Sequence, residues 1–484
     1  MEERLELNKI VYSILKLQIE FGTYGYGEHL PPIEEMADLL VVSVDTVRLA
    51  YRRLREVGYI TLSQSIGTVV NVHYEQTEIE ENILRFYAEC EDSLLDICHS
   101  MPLLFMNIQL QAWKHISEEA LARIENVNMN RRASTSYSVI QYLQTVYGSL
   151  NNDLLMLLIR KLNIIYMIPF FSMNDWEKYV DPAYASSEGN SVPYKIKLCR
   201  QENWGALQEA ILSTMNGHYY SIKNLYQARI TVPKAENQIS FAWSGYKKAS
   251  QIYYSVGFEI LISIVDGLYP KGSFLPSIKS LSNEKKVSFN TIRNSLALLN
   301  DLGIVKTING VGTQVLSMDQ VAEHCNLSSP AVRKRFMDSK QSLQLFALSC
   351  RKTAAVTIAS IDEDCRRQWL ERLYEYGRQE MFNYVSAFSL KYISWNAPLR
   401  TIRTVYTELY KLLFWAVPIR GLMGSQETVN TFYRPYYHSM VACLEKSDAE
   451  GFAALLEEIL CREVDRIDGL LRKSGMQEMT AEDC

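Results

Sequence analysis

The stretch GEHLPPIEEMADLLVVSVDTVRLAYRRLREVGYI (Gly27–Ile60) decides the fold, because it returns 245 residues later as GSFLPSIKSLSNEKKVSFNTIRNSLALLNDLGIV (Gly272–Val305). Widened to Ile19–Val70 against Ile264–Val315, the two segments superpose without a gap and agree at 16 of 52 positions. Unrelated sequences of ordinary composition would share about three. The identities include Gly27/Gly272, Leu30-Pro31/Leu275-Pro276, Val42-Ser43/Val287-Ser288, Thr46/Thr291, Arg48/Arg293 and Gly58/Gly303. The chain is an internal duplication.

Each copy has the same order of elements. Apolar residues at helical spacing (Ile10, Ile14, Leu17; Ile260, Ile264) lead to Gly22 or Gly267, where a helix stops. Leu-Pro opens a second helix, and Ser43 or Ser288 is placed to cap a third. That third helix turns Val47, Leu54 and Val57, or Ile292, Leu296 and Leu299, toward a core. Gly58 or Gly303 ends it, and two β-like runs follow: Tyr59–Leu62 with Val69–Val72, and Ile304–Ile308 with Thr313–Leu316. The turns between them are SQSIG (63–67) and NGVG (309–312), the second carrying the Asn-Gly hairpin signal. Three helices followed by a two-stranded wing make a winged helix-turn-helix.

Working outward, residues 75–240 and 320–484 are helical in pattern and poor in strand signals. Their ends echo each other, ALQEAIL (Ala206–Leu212) against ALLEEIL (Ala454–Leu460). The expected fold is mainly α, with two winged helix-turn-helix domains (each with a small two-stranded β-wing) alternating with two all-helical domains. The expected boundaries are 1–75, 76–240, 246–318 and 319–484, with the polar stretch Val232–Asn237 as linker.

Length and composition agree with several soluble domains. The chain has 484 residues, 48% apolar and 22% charged, with a net charge of −5; this excludes disorder as the main state. The average hides an asymmetry. Residues 1–74 hold seven basic and ten acidic residues, a net −3, whereas 246–318 hold eight basic and four acidic, a net +4. Nine scattered cysteines without a C-x-x-C pair read as free thiols in a reducing compartment. The opening MEERLELNKI lacks the basic start and apolar run of a secretory signal. The most apolar stretch (Leu154–Phe171) is broken by Arg160, Lys161 and Asn163, which favours a buried helix over a membrane span. A cytoplasmic location and no membrane partner are expected.

Both repeated segments resemble the DNA-binding domain of GntR-family bacterial transcription regulators. The carrying motifs are G-x-x-L-P-x-I (Gly27–Ile33; Gly272–Ile278), V-S-x-x-T-[VI]-R (Val42–Arg48; Val287–Arg293), L-x-x-x-G-x-[IV] (Leu54–Ile60; Leu299–Val305) and the wing Gly-Thr at Gly67-Thr68 and Gly312-Thr313. The resemblance implies double-stranded DNA as partner, with the third helix in the major groove. It also implies three arginine positions per copy. Here they are Glu34, Val44 and Arg48 in the first copy, and Lys279, Phe289 and Arg293 in the second. The expected interface is therefore Lys279, Ser288, Asn290, Thr291 and Arg293, with Gly310 and Gly312 letting the wing backbone approach the minor groove. Ser43, Thr46 and Arg48 form the weaker half, where Ser65 replaces Gly310. From the residues alone, Ser288 also reads as a plain cap, the lysines as a solvated face, and Arg48, Arg52 and Arg55 as exposed helix positions.

The helical domains resemble, more weakly, the all-helical effector domain of the fatty-acid-responsive (FCD) branch, with FYRPYYHSMVACLEKSD (Phe432–Asp448) as its best echo. That branch often holds a metal with an aspartate and three histidines. Here the second helical domain offers only His438, with His324 at its border and Asn383 where a helix histidine is usual, so neither metal nor other cofactor is expected. Tyr384, Asn396, Tyr406, Arg434, Tyr436 and His438 are the candidate small-molecule effector set; they read equally well as helix-packing residues. No G-x-S-x-G, H-E-x-x-H or P-loop pattern is present, and the helical spacers are too short for the aminotransferase-like domain of another GntR branch, so no catalytic residue is expected. The expected function is a sequence-specific transcription regulator whose single chain acts as a pseudo-dimer or assembles into a homodimer. The alternative is a protein-interaction scaffold that has lost DNA binding, motivated by Glu34, Val44 and Phe289.

Overall fold

The computed structural model describes residues 2–63, 67–129, 135–243, 252–265, 267–317, 321–416 and 426–473. Ser65, Lys247, Lys248, Asp266 and Cys484, which entered the sequence reading, lie outside them. The chain divides into two compact units, 1–243 with 399–401, and 244–398 with 402–484.

The first unit opens with α1 (Glu2–Glu20), α2 (Ile33–Leu40), α3 (Val44–Glu56), β1 (Ile60–Ser63) and β2 (Gly67–Val70). α1 packs across α3, burying Ile10, Ile14, Val47, Ala50, Tyr51 and Leu54. The wing is an antiparallel pair in the register Ile60↔Val70 to Ser63↔Gly67, and His29 forms a bridge to Val69. Helices α4 (Gln76–Lys114), α5 (Glu118–Met129), α6 (Thr135–Gly148), α7 (Asp153–Ile165), α8 (Met167–Phe171), α9 (Pro182–Ser186), α10 (Val192–Arg200) and α11 (Trp204–Ala228) complete the unit. Their starts are set by side chains: a Glu75/Glu78 capping box for α4, and Asn152 and Asn203 as caps of α7 and α11. The apolar stretch Leu154–Phe171 is buried, in α7 and α8. Among the described residues, no helix is long and apolar enough to cross a membrane.

The second unit repeats the head as α12 (Ile252–Val265), α13 (Ile278–Lys285), α14 (Phe289–Asp301), β3 (Val305–Ile308) and β4 (Gly312–Val315). Its wing pairs in the equivalent register, Val305↔Val315 to Ile308↔Gly312, with a Phe274–Gln314 bridge matching His29–Val69. Then come α15 (Val321–His324), α16 (Pro330–Ser360), α17 (Glu363–Arg378), α18 (Tyr384–Asn396), α19 (Arg400–Leu413), α20 (Gln426–Glu445) and α21 (Ala449–Lys473). α16 and α21 pack side by side, and Trp369 stacks on Tyr392 at 4.3 Å in their vicinity.

The fold is mainly α, with two small antiparallel sheets at the repeated segments. Two details differ from expectation. Val57 is not a core residue: α3 ends at Glu56, and Val57, its C-cap, is 53% exposed. The wing strands are shifted too, running Ile60–Ser63 with Gly67–Val70 rather than Tyr59–Leu62 with Val69–Val72, while the polar stretch 232–237 lies along α4, Ala235 N–H donating to the Ala88 carbonyl.

Candidate nucleic-acid interface and a buried cavity

In both heads the third helix begins the same way. Ser43 Oγ accepts the Thr46 N–H at 3.3 Å and meets Thr46 Oγ1 at 2.8 Å; Ser288 Oγ accepts the Thr291 N–H at 3.1 Å and meets Thr291 Oγ1 at 2.9 Å. The repeated Ser/Thr pairs therefore cap their helices first, satisfying N–H groups that would otherwise be orphaned. Ser288 and Asn290 remain exposed, Thr291 is half-buried, and Thr46 is buried.

The two arginines differ in one neighbour that the sequence reading passed over. Arg48 forms an ion pair with Asp45, one turn back on α3. At the equivalent place in α14 stands Asn290, whose Oδ1 accepts from Arg293 Nη1 at 3.4 Å. A carboxylate competes with phosphate for a guanidinium, whereas a neutral amide leaves its charge uncompensated. The signal was available: Asp45 and Asn290 align in the repeat. Lys279 is exposed near the start of α13, where Glu34 is exposed on α2. Phe289, the first residue of α14, is 49% exposed, and Val44 is half-buried.

The second wing carries Gly310 at φ +75° and Gly312 at φ +146°, both in the region that favours glycine. A Cβ on Gly310 would meet nothing within 4 Å, while one on Gly312 would approach the Phe274 ring at 3.2 Å. The tip is therefore open, and its base is packed.

The turn before each third helix also differs. Val41 and Lys286 are both left-handed C-caps, at φ 51° and 53°. In the first unit the end of α2 is held from α6 and α7: Gln141 Nε2 donates to the Asp38 carbonyl (3.3 Å), Gln144 Nε2 to Leu40 (3.2 Å) and Arg160 Nη2 to Val41 (3.3 Å). The start of α6 is tied to α1 and its turn through Gln18 Nε2 to Ser136 Oγ (3.0 Å), Tyr137 Oη to Gln18 Oε1 (2.8 Å) and Tyr24 Oη to Tyr137 Oη (2.8 Å). In the second unit the matching turn is closed from within, Ser282 Oγ donating to the Val287 carbonyl at 2.5 Å.

The six residues read as an effector set have the following neighbours. Tyr406 is fully buried, its hydroxyl paired with Ser349 Oγ (3.0 Å) and Thr353 Oγ1 (2.5 Å). Asn396 Nδ2 donates back to the Tyr392 carbonyl, Tyr436 Oη donates to Glu458, and Tyr384 stacks on Tyr376. Arg434 and His438 both lie against the Phe382 ring. A cavity of about 220 Å³ lies in the first helical domain, lined by residues of α4 and of α6 to α11. Its wall is largely apolar and aromatic, with Tyr142, Tyr147, Tyr166, Phe171 and Tyr184, and its charged residue is Lys195 on α10. Lys195 is 2% exposed; Nζ donates to Thr214 Oγ1 at 2.7 Å and to the Asn190 carbonyl at 3.4 Å. Burial lowers its pKa to about 8, and burial together with Lys195 lowers that of His218, on the same wall, to about 4. Among the described residues, no three His, Cys, Asp or Glu side chains are grouped to hold a metal.

Compared with known proteins, residues 7–70 and 252–315 match the family model for bacterial regulatory proteins of the gntR family. Curated relatives include the fatty acid metabolism regulator proteins of Yersinia pestis (strain Pestoides F) and Yersinia pseudotuberculosis serotype O:1b (strain IP 31758), each 27% identical over 26% of this chain. The match spans 59% of the length of each of these relatives. Similar solved structures include Streptococcus agalactiae GntR (14% identity, TM-score 0.21, 44% of this chain and 99% of that one). Another is E. coli McbR/YncC (18% identity, TM-score 0.23, 46% of this chain and 98% of that one).

Proposed function

We propose that this chain, which carries two gntR-family domains, is a non-enzymatic, cytoplasmic, sequence-specific DNA-binding transcription regulator. Its second winged helix supplies most of the grip on DNA. The observation that carries this reading is the uncompensated charge of Arg293 beside Asn290, next to an exposed Lys279, on a head of net charge +4. The domains are taken as 1–75, 76–240, 246–318 and 319–484. Lys279, Ser288, Asn290, Thr291 and Arg293, with the Gly310–Gly312 wing, form the principal interface; Ser43, Thr46 and Arg48 form an auxiliary one. Two unequal heads on one polypeptide suit an asymmetric operator read by a pseudo-dimer, and the helical domains suit a sensor for a small-molecule effector.

The test is a mobility shift on genomic fragments enriched by the protein, across salt concentrations, with light scattering of the complex. Salt-dependent binding by one chain per site supports the reading. Binding that ignores salt, or that survives Arg293→Ala with an unchanged salt slope, refutes the interface. A second reading, a head that docks protein rather than DNA, is favoured for the first copy alone, because Arg48 is spent on Asp45 and Glu34 repels phosphate.

A further inference from the structure

The cavity of the first helical domain poses a chemical question. Its wall is mostly aromatic and aliphatic, yet it contains a buried ammonium. Among the described residues, Lys195 has no carboxylate partner; its two partners, a threonine hydroxyl and a backbone carbonyl, are neutral. A lone buried cation in an apolar setting is costly unless something of opposite charge joins it. The third donor position of the ammonium has no protein acceptor among these contacts, and such a group directs a charge-assisted hydrogen bond to an incoming anion.

We infer that this cavity binds a compact organic monocarboxylate, its carboxylate received by Lys195 and its apolar body by the rings of Tyr142, Tyr166 and Tyr184. The charge number follows from the lining, where His218 is neutral near pH 7 and leaves a single cation. The size follows from the volume: an apolar cavity of about 150 Å³ holds benzene, so about 220 Å³ holds a body of benzoate scale. The cavity is placed to report its occupancy. α6 and α7, which line it, also hold the end of α2 just before the first recognition helix. This inference rests on reading the helical domains as sensors, and names the ligand class.

Calorimetry on the full chain with benzoate, benzamide, octanoate, octanamide and succinate tests it. Each monocarboxylate is expected to bind at least ~10-fold more tightly than its amide, with succinate the weaker acid because its second charge finds no partner. Lys195→Met is expected to erase the acid-over-amide preference, and Val139→Phe, which fills the cavity from α6, to abolish binding of both. In wild-type protein the preference is expected to collapse between pH 7 and pH 9.5 as the Lys195 ammonium loses its proton. The titratable groups on the same wall are His218, Tyr142, Tyr147, Tyr166 and Tyr184, and burial keeps all five neutral over that range. Equal binding of acid and amide, a preference that survives in Lys195→Met or at pH 9.5, or no binding of any probe overturns the site. Operator affinity is read separately: carboxylate binding that leaves it unchanged refutes the sensor reading and spares the site.

Discussion

Removing the buried charge should stabilise the protein. In the unliganded chain Lys195 must be carried as an ammonium at pH 7, although burial lowers its pKa from 10.5 to about 8. That lowering corresponds to roughly 3 kcal/mol of native-state cost. Lys195→Met recovers that cost but loses the hydrogen bond to Thr214, worth about 1 kcal/mol. The net gain is about 2 kcal/mol, or about 4–8 °C for a unit of this size. The sign has a pH signature. Between pH 8 and 10.5 the unfolded chain holds the lysine proton that the native state has released, so wild-type stability rises with pH there. The advantage of the variant must shrink accordingly, by roughly 2.5 kcal/mol from pH 7 to pH 10. Scanning calorimetry of both proteins at the two pH values measures it, and the difference between proteins cancels other titrations. A variant less stable at pH 7, or a gain independent of pH, would refute the assignment of an uncompensated cation.

Three further outcomes are expected. Arg293→Ala should weaken operator binding by about 1–3 kcal/mol if the guanidinium reads a base edge, as measured by fluorescence anisotropy. The double change Glu34→Lys with Asp45→Asn should strengthen binding and steepen its salt dependence, because it frees Arg48 and adds a cation where phosphate is now repelled; an unchanged slope would place the first head off the DNA. Val41→Gly should raise stability by about 1 kcal/mol, since a β-branched residue that is 46% exposed sits at φ 51° with little burial to lose; urea denaturation checks this.

The heads were legible because their information is local and doubled. Leu-Pro, Val-Ser and the wing Gly-Thr each specify a cap or a turn, and the repeat shows each of these at a second place. Ser43 and Ser288 cap their helices in the expected way, and both wings pair in one register. Val57 was misplaced because helical periodicity does not show where the helix stops. The cavity was not legible at all. Its lining comes from seven helices between Met101 and His218, and its signal residue, Lys195, looks like any surface lysine in VPYKIKLCR. In the aromatic run after Tyr384 the Tyr406 hydroxyl is taken up by Ser349 and Thr353, a pairing the sequence does not show. Aromatic density is visible in one dimension; a missing counter-charge is not.

On the proposed function, duplication lets the two heads take different parts. A single head that must both grip phosphate and answer a ligand has conflicting requirements, because tight docking to a sensor domain restricts the adjustments that DNA fitting needs. With two heads the requirements separate. In the first unit the turn before α3 is held by Gln141, Gln144 and Arg160, and Arg48 pairs with Asp45, so on the proposed function small shifts of α6 would reach the weaker head. In the second unit the equivalent turn closes on itself through Ser282, and Arg293 keeps its charge. On that proposal, about 1.4 kcal/mol gained or lost at the weaker head changes operator affinity tenfold, which is sufficient for regulation.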